Sequence, residues 1–161
     1  MRSYVPRKFG MCVRFILSGG ADEMFWLILG TFLFYSLNVT GFRVKSFVLV
    51  DGSCLKNEPI DMVFWVLYLG SVIAFWIWPR IGQWMMLGFL SLATITLFLT
   101  TVRFMIWPNE MKIRGYNKFF EKTHHIIAPS ETKLIPDTFH LTLLVLVPIN
   151  LATLLFYIFV I

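Results

Sequence analysis

Five side chains in the last third of the chain could do chemistry together. Glu121, His124 and His125 stand almost side by side, and Asp137 and His140 follow three residues apart. Imidazole and carboxylate groups brought into one place can bind a transition metal or haem iron, or relay protons. Glu121 and His125 are four residues apart and so share one face of a helix, while His140 enters from the start of the last apolar segment. The candidate metal set is therefore Glu121, His124, His125 and His140. The Glu-x-x-His-His spacing matches no established metal signature, and the favoured reading of the same residues is interfacial histidines without a ligand. No cofactor is required by the sequence.

A second group, Arg103, Arg114, Lys118 and Lys122, places cations beside aromatic residues, an arrangement suited to a phosphate-bearing lipid headgroup. The plainer alternative is general attraction to anionic lipid. Pro129-Ser130 lacks the Gly-His that would complete a lipid-phosphatase motif, and no catalytic motif occurs elsewhere. The chain is expected to have no catalytic activity of its own.

The elements that must position these groups follow from composition. Of 161 residues, 58% are hydrophobic and only 14% charged, too little polar surface for a soluble domain of this size. The apolar residues form runs long enough to cross a hydrocarbon layer of roughly 30 Å, which takes about 20 helical residues. The fold class predicted is an all-α integral membrane protein, a single membrane domain over 1–161. Four transmembrane helices are expected at roughly 24–40, 60–78, 84–106 and 138–161, with a basic N-terminal segment at 1–21 and a polar connector at 107–137. The net charge of +5 then reads as orientation signals and headgroup contacts, not as a nucleic-acid surface.

Within the connector, Pro108-Asn109-Glu110 offers a helix start. Ile113, Tyr116, Phe120 and Ile127 would fall on one face, and Arg114, Lys118, Lys122 and His125 on the other, which predicts an amphipathic helix in the membrane interface. Gly115 weakens it by about 1 kcal/mol. Pro79 to Gln83 leaves room only for a tight turn, making the second and third spans antiparallel neighbours with Trp76, Trp78 and Trp84 as an aromatic belt. Trp65 and Trp107 would anchor the opposite face. In the third span Ala93, Thr96, Thr100 and Arg103 recur at helical spacing, a stripe that favours close helix packing over the wall of a polar cavity. Pro148 and Asn150 predict a bend with a buried amide in the fourth span, again favoured as a packing device. Phe47 to Val50 is apolar but too short to span, and suits a short strand or an interfacial dip.

Cys12 and Cys54 flank the first span, so they fall on opposite membrane faces and read as unpaired thiols. Five cations lie on one side of a four-span arrangement and nine on the other. That count places the connectors inside, yet moving an N-terminal tail with four cations across the membrane is unfavourable. The orientation signals conflict.

These readings converge on a small accessory or structural subunit of a larger membrane complex, in contact with the lipid bilayer and other membrane subunits, in the plasma (inner) membrane. A transporter is the alternative. Arg14-Phe15-Ile16-Leu17-Ser18-Gly19-Gly20 resembles the opening of small four-span flippase-like proteins for polyprenyl-linked sugars. The resemblance implies a small oligomeric transporter or lipid-linked-substrate flippase. A third possibility is a membrane metal or haem protein using the histidine cluster.

Overall fold

A computed structural model describes residues 21–51 and 59–160. The basic N-terminal segment up to residue 20, with the Arg14 to Gly20 stretch, and both cysteines lie outside these residues.

The first helix, α1, spans Ala21–Thr40, with the carboxylate Glu23 in its first turn, where negative charge favours the positive end of a helix dipole. It stops at Gly41, whose φ of 72° places it in the left-handed region open to glycine. The Gly41 amide closes the last turn on the Leu37 carbonyl at 2.8 Å. The apolar Phe47 to Val50 run then pairs as a short strand. β1 (Phe42–Val44) and β2 (Phe47–Val50) form an antiparallel hairpin with a register shift at Phe42/Arg43. Lys45 carries the turn at φ 54°, and Arg43 reaches Asp51 at 3.1 Å.

Helix α2 spans Pro59–Ile77, and α3 runs as one long segment over Pro79–Ile106. Here the structure differs from the expected tight turn at Pro79 to Gln83, because those residues form the first turn of α3 and only Trp78 separates the two helices. The reason is local. Proline at the first helical position has no N–H to leave unsatisfied, and its φ is already helical. Gly82 lets the helices abut: a Cβ there would overlap the backbone of Phe75 and Ala74. Trp76, Trp78 and Trp84 are all exposed around this tip.

Helix α3 contains one π turn, Phe98–Val102, before it resumes as Arg103–Ile106. Such a turn inserts an extra residue and rotates everything beyond it about the helix axis. A short helix, α4 (Glu110–Phe119), follows, with the Asn109 side chain accepting from the Lys112 amide at 3.1 Å as its N-cap. The last helix, α5, spans Thr138–Val160 with Pro148 inside it.

Each of α1, α2, α3 and α5 is long and apolar enough to cross a membrane. They pack in a ring, α1 on α2, α2 on α3, α3 on α5 and α5 on α1. Ile28, Tyr68, Met86, Leu90 and Leu154 meet inside and are fully buried. Leu33, Val63, Ile73, Leu92 and Val145 project outward, exposed. Direct polar ties join the helices: Tyr68 donates to the Ile28 carbonyl at 3.2 Å, Asn38 to Asp61 at 2.9 Å, and Asn150 to Thr31 at 2.8 Å. Interhelical bonds of this kind contribute on average about 0.6 kcal/mol in a membrane setting. Trp65, expected as an interfacial anchor, turns inward, packing on Phe32 and donating to Ser36 at 2.9 Å.

Candidate functional site

The ring of helices is not filled to its centre. It borders a half-open cavity of 680 Å³ that reaches from the middle of the bundle to the end covered by α4. That end is where α1 finishes, α2 and α5 begin, and α3 gives way to the connector, so chain direction alone gathers their terminal polar residues there. Asn38, Asp61, Lys112, Tyr116 and His140 all line it. At mid-bundle the lining is mainly apolar or aromatic, with Phe64, Tyr68, Phe89, Leu143 and Val147 beside Thr31. The acidic, basic and imidazole side chains of the cavity are therefore confined to its mouth, among aromatic and aliphatic neighbours, and its depth is mainly apolar. Its size lies in the range of pockets that hold small organic ligands.

The π turn decides which part of α3 faces this space. Ala93, Thr96 and Thr100 line the wall as their helical spacing suggests, so the hydroxyl-bearing stripe borders a cavity. Arg103 does not continue it. After the inserted residue, Thr101 and Phe104 face the cavity instead, and Arg103 is exposed with its guanidinium 5.9 Å from the Phe104 ring centroid. The Thr100 hydroxyl bonds back to the Thr96 carbonyl at 2.8 Å, as threonines in helices commonly do.

Helix α4 roofs the mouth. Ile113 is fully buried, and Met111, Gly115, Tyr116 and Phe119 line the cavity. The amphipathic pattern holds as far as Phe120, where the helix has ended. Ile127, placed by periodicity on the buried face, is exposed, and His125, placed on the polar face, is half-buried. Both lie in irregular chain, where helical spacing has no meaning.

The most connected polar group at the mouth is Asp137, nearly fully buried just before α5. Its Oδ1 accepts from the His140 backbone amide at 2.9 Å and from His140 Nδ1 at 2.7 Å. The first contact is N-cap geometry, satisfying an amide that the helix itself cannot. Oδ2 lies 3.2 Å from the Thr123 hydroxyl, whose single proton is shared with the nearer Phe120 carbonyl at 2.8 Å, and the Asp137 amide donates to the Tyr116 hydroxyl oxygen at 3.2 Å. Burial pushes the Asp137 carboxyl up, but the hydrogen bonds from the His140 ring and amide, with the Thr123 hydroxyl, outweigh it and hold the group below the ordinary carboxylate value. Tyr116 is pushed the other way. Burial first, then the negative charge of Asp137, raise its phenol far above its ordinary value, so it stays protonated.

Aromatic rings fix the imidazole. Phe120 stands edge-on to His140 at 4.8 Å, with Phe139 at 5.6 Å and Tyr116 at 6.0 Å. With Nδ1 engaged by Asp137, the other ring nitrogen, Nε2, has no hydrogen-bond partner among the described residues.

Asp137 and His140 are thus brought together as their spacing suggests, whereas Glu121, His124 and His125 are separated from them. Glu121 is exposed. His124 pairs with the Thr138 hydroxyl through Nδ1 at 2.8 Å, lies tilted against the Phe47 ring, and donates its amide to the Val48 carbonyl, tying the connector to the hairpin. His125 Nε2 contacts the Phe120 carbonyl at 3.2 Å. Among the described residues no three His, Cys, Asp or Glu side chains converge as a metal would require. Arg114, Lys118 and Lys122 are exposed, Arg114 reaching only Glu110 at 3.6 Å. Asn150 is buried, bonding Thr31 on α1 and the Leu146 carbonyl of its own helix, while its Oδ1 has no partner.

Two features escape periodicity. Asn38 and Asp61, 23 positions apart, share the cavity wall because α1 and α2 are antiparallel. Tyr116 reads as one aromatic of an apolar face, and only the fold turns its hydroxyl to Asp137. No protein-family model, curated protein or solved structure matches this chain.

Proposed function

We propose that the chain is an integral membrane protein whose four long helices hold a lipid-like amphiphile between them, in the manner of a small transporter or lipid-handling protein. The observation that carries this reading is the cavity's polarity gradient. An amphiphile placed with its headgroup among Tyr116, His140 and Asp61 and its chain between Phe89 and Val147 would match each part of the wall with its own chemistry. Membrane insertion itself is supported by the outward faces of the helices. Exposing residues such as Val63, Ile73 and Leu92 to water would forgo roughly 25 cal/mol for each Å² that lipid could cover. In that setting α4 would lie at the membrane surface, with Arg114, Lys118 and Lys122 toward headgroups and its apolar face on the cavity.

Purification in mild detergent followed by native mass spectrometry tests the proposal. A discrete bound amphiphile is expected on the wild type and lost on Val147→Trp, which fills the apolar depth. Retention of the same adduct by that variant would place it on the outer surface and refute the reading. Flux of the identified amphiphile in reconstituted vesicles then separates carrying from holding.

The accessory-subunit reading draws on a different feature, an outer groove of 370 Å³ lined by Trp26, Leu27, Gly30, Phe34 and Leu146. A partner's membrane helix could seat against Gly30, where no side chain intervenes. Stoichiometric partners lost on Gly30→Leu would support it, and an unchanged set of co-purifying proteins would count against it.

A further inference from the structure

The mouth of the cavity carries an unpaired donor and an unpaired acceptor held by one residue, Asp137, through its backbone amide on one side and its carboxylate on the other. Tyr116 receives the Asp137 amide on its oxygen, so its own O–H proton is free to point elsewhere, and no acceptor for it occurs among the described residues. His140 gives its Nδ1 to Asp137. A carboxylate has no proton to offer, so a neutral imidazole must hold its hydrogen on Nδ1 and present a bare lone pair at Nε2. Both rings line the cavity and stand edge to face at 6.0 Å. The His140 side chain is 22% exposed, so its Nε2 is accessible from the cavity, and an occupant of the mouth that met both groups would gain two hydrogen bonds at once.

Three headgroup chemistries can be weighed against this pair. A quaternary ammonium would suit the aromatic walls, but it carries no N–H and accepts nothing, leaving both groups unpaired. An anion would accept from Tyr116 but turn negative charge toward the Nε2 lone pair, beside the carboxylates of Asp61 and Asp137, with the exposed Lys112 as the one cation lining the cavity. A hydroxyl donates and accepts at once.

We infer that Tyr116 and His140, positioned by Asp137, form a headgroup site for a neutral, hydroxyl-bearing amphiphile such as a long-chain alcohol or a monoacylglycerol. The hydroxyl donates to His140 Nε2 and accepts from the Tyr116 O–H, while its chain runs toward Phe89 and Val147. This assignment rests on the amphiphile-binding reading above. Asp137 acts through the other two: it sets the imidazole tautomer and holds the Tyr116 oxygen.

The test uses the full-length protein in phosphatidylcholine nanodiscs and a dodecyl alcohol carrying a diazirine in its chain, with labelled positions mapped by peptide mass spectrometry. Unlabelled dodecanol, dodecanoate and dodecyltrimethylammonium serve as competitors. Saturable labelling of residues facing the cavity is expected, displaced by dodecanol at concentrations about tenfold lower than by either charged analogue, the discrimination expected of about one hydrogen bond. Tyr116→Phe, which removes only the hydroxyl, and His140→Phe, which keeps the ring packing, should each raise the dodecanol concentration needed by up to about tenfold without changing that for the trimethylammonium compound. Stronger displacement by dodecanoate, equal displacement by all three, or an unaffected Tyr116→Phe would overturn the hydroxyl assignment while leaving amphiphile binding intact. Absence of saturable labelling in the cavity would overturn both.

Discussion

Replacing Asp137 by alanine removes three contacts from one buried point. The loss of an N-cap costs about 1 kcal/mol. The carboxylate also takes a hydrogen bond from the His140 ring and a share of the Thr123 hydroxyl proton, which lies nearer the Phe120 carbonyl, and a full bond to a charged acceptor is worth roughly 1.5–3 kcal/mol before the recovered cost of burying the charge. These terms share one side chain and do not add fully, so a net destabilisation of about 3 kcal/mol is expected for Asp137→Ala. Asparagine keeps an oxygen for the cap and one further bond but not the charge, which leaves about 1 kcal/mol of loss. Unfolding in mixed micelles of mild detergent with rising dodecyl sulfate, followed by tryptophan fluorescence, reads both values. The pH dependence has a definite sign. Because the folded carboxyl lies below its ordinary value of 3.8, its contribution is complete above that pH and is lost as pH falls through the lower folded value. Wild type should therefore lose stability below about pH 4 by more than Asp137→Asn does. If alanine proves no worse than asparagine, or the two acid limbs coincide, the carboxylate is not what holds the start of α5 to the connector.

Other substitutions probe the packing. Gly82→Ala should destabilise the protein by about 1–3 kcal/mol in the same micelle assay, since the new methyl meets backbone that cannot yield, whereas Gly88→Ala, with open space around it, should be neutral or gain up to about 1 kcal/mol. Asn150→Ala should cost no more than about 1 kcal/mol: Thr31 keeps its bond to the Leu27 carbonyl, and the change removes an oxygen that had no partner. Arg114→Ala, which breaks an exposed pair with Glu110, should shift stability by less than about 0.5 kcal/mol at ordinary salt.

Much of the architecture is legible from the chain alone because its signals are local. Length and continuity of apolar residues define the four long helices to within a few positions, and Pro108-Asn109-Glu110 marks the start of α4 through a cap whose partner lies three residues away. The pairing of Asp137 with His140 is equally local, being a cap and the third residue of the helix it begins. Where periodicity was carried past its element it failed, as at His125 and Ile127, which sit beyond the end of α4. At Pro79 to Gln83 turn chemistry misled, since proline opens a helix as readily as it makes a turn, and only the backbone contact at Gly82 shows how close the two helices come.

The sequence by itself determined which segments are helices and that polar residues collect at their ends, because composition, capping and span length act over a few neighbouring residues. The tertiary structure alone decided that these ends border a common cavity. That outcome depends on the ring order of the helices, on one extra residue in the π turn of α3 that turns Thr101 and Phe104 inward in place of Arg103, and on antiparallel packing that sets Asn38 beside Asp61. The histidine group likewise divides in three dimensions. His140 joins Asp137 and Tyr116 at the cavity mouth, while His124 and His125 are held by the hairpin and the connector, because a hydrogen-bond network selects partners by position in space and not by order along the chain.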